Sequence, residues 1–375
     1  MYFAFVLNKK AILKGKYKIK IMKMYKRHTI NYKKRNNKSV QVHLFVFLGV
    51  ISKNLITRED IMGKNNYLIV GGNSFIGINL ALGLLKQGQN VKVFSRHINN
   101  FPQNLISEVE FIKGDLANVE DIYKALVNVD IIIYLAATSN VTTSIEDVFG
   151  DRNSSFFFLN FMETVKRFPI KKIVLASSGG TVYGEPEYLP IDEKHPLKPL
   201  SPYGITKVSL ENYLYFYKKK YGMDYVVCRY SNPYGKYQNP LKKVGAINCF
   251  LYQHLSNEKI NIYGNPQEII RDYIYIDDLV EITIQLSQLN RLKSCVYNIG
   301  SGKGLSLKRI IVELEKLTER KVDFICYKQK QENVQKIILN IDRVRRECNW
   351  EPKVDFKSGI RLNKLWIEEF LYSKK

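Results

Sequence analysis

A tyrosine and a lysine four positions apart are the residues in this sequence best suited to acid–base chemistry. Tyr203 and Lys207 lie in the run Tyr203-Gly204-Ile205-Thr206-Lys207, within a stretch that has apolar residues at helical spacing. A spacing of four places both side chains on one face of a helix. A free phenol has a pKa of about 10, too high for a base at neutral pH, and a nearby ammonium stabilises the phenolate. The pair is therefore a candidate proton donor and acceptor, although the same spacing also occurs on solvated helix faces.

A glycine-rich turn near residue 70 is a candidate phosphate-binding site. It follows a short apolar run, 67–70, and leads into a helical pattern, 75–87. Glycine allows a tight turn and lets backbone N–H groups approach a pyrophosphate at the N-terminus of a helix. Because the turn follows the first strand of an alternating strand and helix pattern, we expect it to bind a dinucleotide. The expected contacts are Gly71, Ser74, Phe75, Ile76 and Gly77.

The chain around these sites alternates between short apolar runs and amphipathic stretches. The runs predicted to be buried strands are 67–70, 90–94, 109–112, 129–135, 172–176 and 225–229. The stretches with helical periodicity are 75–87, 119–127, 152–166 and 206–221. This alternation predicts an α/β fold with a doubly wound parallel sheet, in which ligands bind at the carboxyl ends of the strands.

The sequence divides into three regions. Residues 62–240 are expected to form an NAD(P)-binding Rossmann domain. Residues 241–375, where the alternation becomes irregular, are expected to form a smaller α/β substrate-binding domain, with helices at 307–317 and 341–348. Part of 271–290 is expected to pack back on the Rossmann domain.

Residues 1–61 form a strongly basic extension. The whole chain has 58 Lys and Arg against 35 Asp and Glu, a net charge of +23, and this extension alone holds 15 basic and 2 acidic residues. Clustered lysines attract nucleic acid or anionic lipid. The Lys, Asn, Ile and Tyr bias is also what AT-rich coding gives upstream of a start at Met62. We favour the second interpretation, in which the extension is unstructured or not native, and expect no nucleic-acid or membrane partner.

The composition excludes several other classes of protein. With 45% apolar residues among 375, the chain can bury a large core. No apolar run approaches the roughly 18 to 20 residues that a membrane-spanning helix needs. The five cysteines include no C-x-x-C pair, which argues against a disulfide framework and a zinc site. We therefore expect a soluble, cytoplasmic protein without a metal site.

Several motifs in a fixed order resemble the extended short-chain dehydrogenase/reductase family, in its sugar-nucleotide epimerase/dehydratase branch. The G-x-x-G-x-x-G of that family is matched by Gly71, Ser74 and Gly77, and its Y-x-x-x-K by Tyr203 and Lys207. The resemblance implies that Tyr203 is the catalytic base or acid and that Lys207 is its partner and a ligand of the cofactor's ribose. It also implies NAD as cofactor and a homodimer.

The cofactor end departs from the family pattern after the second strand. The family usually has an acidic residue there to bind the ribose hydroxyls, whereas this chain has Ser95 and Arg96. Without a carboxylate a 2′-phosphate is not repelled, and Arg96 could pair with one, so NADP is an alternative to NAD. The segments after the third and fourth strands resemble the family's adenine-contacting segment, Asp115 and Leu116, and its pyrophosphate loop, Leu135, Ala136 and Ala137.

Gly179 stands where the family has its catalytic serine or threonine. Either Ser178 or Thr181 then supplies the hydroxyl that bonds the sugar oxygen, or Tyr203 acts alone. Dehydratases and decarboxylases of the family carry acidic residues in this segment, whereas Gly180 and Thr181 provide none. Elimination and decarboxylation are therefore disfavoured, which leaves epimerisation or simple keto reduction.

Three residues resemble the family's contacts to the diphosphate of a nucleotide-sugar substrate. Asn232 occupies the asparagine of R-x-x-N-x-Y-G, and Arg271 the arginine of R-D-[FY]-x-x-V-x-D. An arginine donates two parallel hydrogen bonds to phosphate oxygens, although Arg271 could instead form a surface ion pair with Asp272. Lys330 replaces a late arginine, which keeps the charge but not the planar fork.

The leading hypothesis is a nucleotide-sugar 4-epimerase that oxidises carbon 4 transiently and returns the hydride to either face. A 4-ketosugar reductase that uses NAD(P)H is the first alternative, and Ser95 with Arg96 would favour it if NADP is preferred. A degenerate cofactor-binding regulator is the second alternative, because Gly179 lacks the usual hydroxyl. The intact pair of Tyr203 and Lys207 argues against a regulator.

Overall fold

The computed structural model describes residues 64–328 and 334–373. The predicted basic extension, 1–61, lies outside the described residues, and so does Lys330. These described residues group into one compact unit by their contacts. Within the described ranges no helix is both long and apolar enough to cross a lipid bilayer.

Short strands and longer helices alternate along the first part of the described chain. The strands are β1 Asn66–Val70, β2 Asn90–Ser95, β3 Glu110–Lys113, β4 Ile131–Tyr134, β5 Lys172–Ser178, β6 Tyr225–Tyr230, β7 Asn232–Tyr234, β8 Ile260–Tyr263, β9 Ile270–Tyr275, β10 Val296–Ile299, β11 Gly304–Ser306, β12 Phe324–Tyr327 and β13 Lys336–Ile337. The α-helices are α1 Phe75–Lys86, α2 Val119–Leu126, α3 Val141–Glu146, α4 Val148–Val165, α5 Pro202–Tyr221, α6 Ala246–Leu255, α7 Ile276–Gln288, α8 Leu307–Thr318, α9 Asp342–Cys348 and α10 Phe356–Tyr372.

The main sheet has seven strands in the order β10-β6-β5-β4-β1-β2-β3, and every neighbouring pair is parallel. Its central strands are buried along their whole length, as in Ile131–Tyr134, because helices cover both faces. The predicted doubly wound α/β fold is confirmed. The predicted strand and helix bounds agree within a few residues. Two helices begin earlier than predicted: α4 at Val148 and α5 at Pro202, each four residues before the predicted start.

The second half of the chain contributes to the main sheet as well as forming smaller sheets. The edge strand β10 pairs with β6, and α7 packs against α1. The hydroxyl of Thr283 on α7 lies 2.9 Å from that of Tyr230 on β6. Strand β9 pairs with β7, β11 and β13, and β8 pairs with β12 in a separate two-stranded sheet. The sequence pattern did not predict these short strands.

A buried ion pair joins α5 to the main sheet. Arg229 of β6 donates to Glu211 of α5, with Nη2 to Oε2 at 2.6 Å, and both side chains are almost fully buried. Arg229 also donates to the Tyr183 hydroxyl at 3.0 Å, and Ser177 donates to Glu211 at 2.5 Å. Burial alone would lower the pKa of Arg229, but the hydrogen bonds and charge of Glu211 raise it. The network therefore holds a charged pair that positions α5 against β5 and β6.

Removing one partner of this pair should destabilise the fold strongly. We expect Glu211→Ala to lower the free energy of unfolding by about 3 to 5 kcal/mol, because it leaves the Arg229 charge buried and unpaired. Glu187→Ala is the matched control, since it breaks the exposed pair between Lys198 and Glu187; its cost should stay below about 1 kcal/mol. Denaturant unfolding measures both, and equal losses in the two variants would contradict a structural role for the buried pair.

Candidate active site

The carboxyl ends of β1, β2 and β4 meet at one edge of the main sheet. Val70 is in register with Phe94 of β2 and with Tyr134 of β4. The N–H of Gly71 donates to the Phe94 carbonyl at 2.9 Å, and the N–H of Leu135 donates to the Val70 carbonyl at 2.9 Å. Three segments predicted to contact the cofactor therefore lie side by side.

The glycine turn after β1 has the geometry that a dinucleotide site requires. Gly71 adopts a φ of +81°, and a Cβ on Gly77 would lie 2.6 Å from the Gly72 Cα, so the helix approaches the turn too closely for any side chain there. Ser74 is exposed and caps α1, its hydroxyl accepting from the Gly77 N–H at 3.2 Å. Phe75 and Ile76 open the helix, where backbone N–H groups lack partners within the helix and can bind an anion.

The turn is also linked to the loop after β2 by a residue that the sequence analysis missed. Asn73 is buried; its side-chain amide donates to the Asn99 side chain at 3.1 Å and accepts from the Asn100 N–H at 3.1 Å. Ser95 at the end of β2 is half-buried and Arg96 is exposed. The sequence shows an asparagine within the glycine turn and two more asparagines after β2. Only the fold shows that they form hydrogen bonds with one another.

The predicted contacts after β3 and β4 lie at the same edge of the sheet. The Asp115 carboxylate stabilises the turn after β3 by accepting from the Ala117 N–H at 2.9 Å. The N-terminal cap of α2 is Asn118 and not Asp115. Leu116 is half-buried. Among the residues after β4, Leu135 and Ala136 are half-buried and Ala137 is exposed.

Tyr203 and Lys207 face each other on the first turns of α5. Ser201 caps this helix, its hydroxyl accepting from the Gly204 N–H at 3.2 Å, so Tyr203 lies in the first turn. The Lys207 ammonium is buried, donates to the Ala176 carbonyl at 2.9 Å, and lies 5.4 Å from the centre of the Tyr203 ring.

Burial dominates the electrostatics of this pair. It lowers the pKa of Lys207 to about 8, against the opposing charges of Asp151 and Glu211. Burial and then the charge of Asp151 raise the pKa of Tyr203 to about 12. With a pKa of about 12, Tyr203 is a neutral phenol at neutral pH, and its phenolate needs further positive charge in addition to Lys207.

The two candidate hydroxyls, those of Ser178 and Thr181, have different surroundings. Ser178 ends β5 half-buried, and a Cβ built on Gly180 would meet only the Ser178 Oγ, at 3.9 Å, so the space there is open. The Thr181 hydroxyl is buried and has no hydrogen-bond partner among the described residues. A Cβ on Gly179 would lie 2.6 Å from Leu339 Cδ1 and 3.1 Å from the Arg229 carbonyl oxygen, so a side chain at that position would require Leu339 to move.

Two of the three predicted diphosphate contacts lie on adjacent strands. Asn232 on β7 is in register with Tyr273 on β9, two residues from Arg271, and donates its amide to the Asp272 carbonyl at 2.9 Å. The Arg271 guanidinium donates to the carbonyls of Ile270, Val334 and Gln335.

Arg271 and Asp272 do not form the surface ion pair considered as the alternative. Asp272 is fully buried, and its carboxylate accepts from the N–H groups of Ser301 at 2.8 Å and Gly302 at 3.1 Å. It holds the turn after β10, and Arg271 is left directed toward the segment that begins at Val334.

A buried carboxylate close to Tyr203 and Lys207 was not predicted. Asp151, in the first turn of α4, is 1% exposed and accepts hydrogen bonds from Ser139 and Thr206. An acidic residue in the first turn of a helix usually interacts with the helix dipole. The sequence therefore carried no specific signal for this contact.

Comparison with known proteins agrees with this arrangement. Residues 67–300 match the NAD dependent epimerase/dehydratase family. A putative UDP-glucose 4-epimerase of Methanocaldococcus jannaschii is 33% identical over 303 residues, 80% of this chain and 98% of the relative. A dTDP-4-dehydro-6-deoxyglucose reductase of Escherichia coli is 31% identical over 311 residues, 79% of this chain and 96% of the relative.

A solved structure is similar over nearly the same range. The crystal structure of UDP-glucose 4-epimerase from Thermotoga maritima with UDP-glucose has a TM-score of 0.77 at 29% identity, over 82% of this chain and 99% of that chain. The family match confirms the resemblance found in the motifs. The chain therefore belongs to the NAD dependent epimerase/dehydratase family and is an NAD-dependent enzyme.

Proposed function

We propose that the protein is a nucleotide-sugar 4-epimerase that interconverts UDP-glucose and its C4 epimer. The observation that carries this proposal is the pair of Tyr203 and Lys207, placed at the carboxyl end of β5 with the glycine turn at the same sheet edge. The segment from Gly179 to Thr181 contains no carboxylate that could drive elimination or decarboxylation. The relatives named for 4-epimerase activity support the choice of reaction and of UDP-glucose as substrate.

The residues of the glycine turn fit NAD. The positive φ of Gly71, the contact that excludes a side chain at Gly77, and the open N-terminus of α1 together form a backbone cradle for a pyrophosphate. When bound there, NAD would supply hydride transfer from and back to carbon 4 of the hexose. The remaining chemistry falls to side chains of the protein.

Tyr203 moves the proton of the C4 hydroxyl. Its phenolate accepts this proton as carbon 4 is oxidised, and its phenol returns the proton when the ketone is reduced. Because the pKa of Tyr203 is about 12 in the chain alone, the phenolate needs a positive charge beyond Lys207, and an oxidised nicotinamide carries one. Lys207 remains buried beside the ring and adds to that positive potential.

Ser178 is the hydroxyl we assign to the sugar oxygen. Its Oγ borders the open space next to Gly180, whereas the Thr181 Oγ is enclosed by protein atoms. A side chain introduced at Gly179 would meet the end of the Leu339 side chain, which would have to move.

The substrate's diphosphate is held by Asn232 and Arg271 in this proposal, with Lys330 as a third contact. The Arg271 side chain has five N–H donors, and three hydrogen bonds to carbonyls leave two for phosphate oxygens. Anchoring at the diphosphate leaves the hexose ring free to turn over between oxidation and reduction. The ring can then present either face of carbon 4.

A 4-ketosugar reductase is the second candidate. The similarity to the Escherichia coli reductase favours it, as does the end of β2, where Ser95 and Arg96 offer no carboxylate to the ribose. The nucleotide that purifies with the protein discriminates between the candidates. Tightly held NAD supports the epimerase, and NADPH-dependent turnover without bound nucleotide supports the reductase. Cofactor binding without turnover of any nucleotide sugar would instead indicate a regulator.

We also propose that the protein acts as a homodimer in the cytoplasm. The adjacent helices α4 and α5 expose large aromatic side chains, among them Phe149 at 75%, Phe156 at 56% and Tyr215 at 56%. Such a patch on two packed helices is typical of a surface that binds another protein, and a second copy carries a matching patch. All five cysteines are free thiols, the state expected in a reducing compartment.

The first prediction concerns Tyr203→Phe with UDP-glucose as substrate. The phenol oxygen is the proposed acceptor of the C4 proton, so turnover should fall by roughly 100-fold to 10,000-fold without it. NAD should remain bound, because the ring and Lys207 are retained. Coupled assay of the epimer and the absorbance of extracted nucleotide measure both effects. Wild-type turnover in this variant would exclude Tyr203 as the base.

The second prediction compares Ser178→Ala with Thr181→Val. Loss of the Ser178 hydroxyl should lower kcat by about 100-fold, the cost of removing one donor to a developing oxyanion. Thr181→Val should change kcat by less than about threefold, because a buried hydroxyl without a partner contributes no contact that valine lacks. Steady-state kinetics on the two variants test this order, and the reverse order would assign the hydroxyl to Thr181.

The third prediction concerns the homodimer. Sedimentation velocity of the wild-type protein should give the mass of two chains. Tyr215→Lys combined with Phe156→Lys should give a monomer, since both changes place charges on the proposed interface. Val119→Lys, on the exposed face of α2, is the control and should remain dimeric. A monomeric wild-type protein at micromolar concentration would contradict the proposal.

A further inference from the structure

The carboxylate of Asp151 connects two parts of the site that are distant in sequence. One oxygen, Oδ2, accepts from the Thr206 hydroxyl at 2.5 Å. The other, Oδ1, accepts from the Ser139 hydroxyl and lies 3.5 Å from that of Ser154. Asp151 is 1% exposed, so these hydrogen bonds are made away from water.

The two hydroxyls belong to segments with different tasks. Ser139 follows the predicted cofactor contacts Leu135, Ala136 and Ala137 in the loop after β4. Thr206 lies on α5 directly before Lys207 and one turn after Tyr203. A single carboxylate therefore links the cofactor loop to the helix that carries the acid–base pair.

We propose that Asp151 is a positioning residue of the active site, which holds Thr206 of α5 against Ser139 of the cofactor loop and keeps a negative charge beside Tyr203 and Lys207. This inference rests on the proposed function, because it assigns Asp151 a task in the proton transfer by Tyr203.

The negative charge acts on both members of the pair in the same direction. It raises the pKa of Tyr203 and opposes the lowering of the Lys207 pKa by burial. The charged or titratable groups on the elements around Asp151 are Tyr203, Lys207 and Glu211 on α5, Glu146 on α3, Asp147 after it, and Arg152 on α4, which lies over the Phe149 ring. Asp151 keeps the ammonium charged and keeps the phenol protonated until additional positive charge enters the site.

The effect on the pH profile has a defined sign. The profile is that of the enzyme loaded with oxidised cofactor, whose positive charge in this proposal brings the pKa of Tyr203 below that of Lys207. In its kcat/KM the acid limb reports loss of the proton from Tyr203, and the alkaline limb reports loss of the proton from Lys207. In Asp151→Asn a negative charge is removed, so both pKa values fall and both limbs move to lower pH, by roughly half a unit to one unit. The asparagine can still hydrogen bond to both hydroxyls, since each hydroxyl can accept as well as donate.

The experiment separates the charge from the link. The charge is tested by Asp151→Asn, with Glu146→Gln as the matched control that removes an exposed carboxylate from the neighbouring helix. The link is tested by Thr206→Val, with Thr206→Ser as the conservative rescue. We expect both limbs to shift in Asp151→Asn, a roughly tenfold loss of kcat without a shift in Thr206→Val, recovery of that loss in Thr206→Ser, and a wild-type profile in Glu146→Gln. Thermal unfolding checks that each variant is folded. If Asp151→Asn does not fold, Thr206→Val still tests the link between the two segments.

A substrate-independent measurement distinguishes failure of this inference from failure of the proposed function. The near-ultraviolet absorbance of phenolate, titrated in the wild type and in Tyr203→Phe, isolates Tyr203 by difference. The same difference taken in the Asp151→Asn background should show a lower pKa for Tyr203. If the wild type does not epimerise UDP-glucose, the proposed function is wrong, while the titration still tests Asp151. Unchanged limbs and an unchanged titration in Asp151→Asn, or wild-type kcat in Thr206→Val, would overturn the proposal.

Discussion

The burial of one ammonium is the constraint on which the rest of the site depends. Removing a lysine charge from water is costly, so Lys207 needs fixed acceptors in the interior. The Ala176 carbonyl at the end of β5 accepts from it directly, and Asp151 and Glu211 supply opposite charge. Glu211 is held in turn by Arg229 of β6. The central strands, the buried ion pair and the start of α4 thus all help to fix one turn of α5.

Because of this arrangement, the protonation state of Tyr203 depends on which other charges are present in the site. In the chain alone, burial and the charge of Asp151 keep Tyr203 a neutral phenol, since its pKa is about 12. In the proposed function, a phenol that loses its proton only when further positive charge is present does not act on a sugar while the cofactor site is empty. The glycine turn and the loops after β2 and β4, the proposed cofactor site, lie at the same sheet edge. In the proposed function, cofactor binding and base activation are therefore coupled through electrostatics.

The sequence predicted what depends on local pattern. Continuous apolar runs identified β1 to β6, and the spacing of Tyr203 and Lys207 identified the pair, because burial on both faces and helical period leave direct marks in a sequence. Contacts between distant segments leave no such pattern in the sequence. Asp151 and Thr206 are 55 residues apart, and Asn73 forms a hydrogen bond with Asn99, 26 residues further along the chain. The choice between Ser178 and Thr181 also required the fold, since both hydroxyls lie near Gly179 in sequence but only one borders open space. Short strands such as β13, with two residues, have no period to detect.

The most direct test follows the hydrogen on carbon 4 of the substrate. UDP-glucose labelled with deuterium at that carbon is incubated with the purified protein in ordinary water, and both epimers are analysed by mass spectrometry and proton NMR. If Tyr203 exchanges only the hydroxyl proton and the carbon-bound hydrogen never reaches solvent, the label should remain at carbon 4 in both sugars at equilibrium. Loss of the label to water during epimerisation would mean that a carbon-bound proton is abstracted, and the assignment of Tyr203 and Lys207 to oxidation at carbon 4 would be wrong.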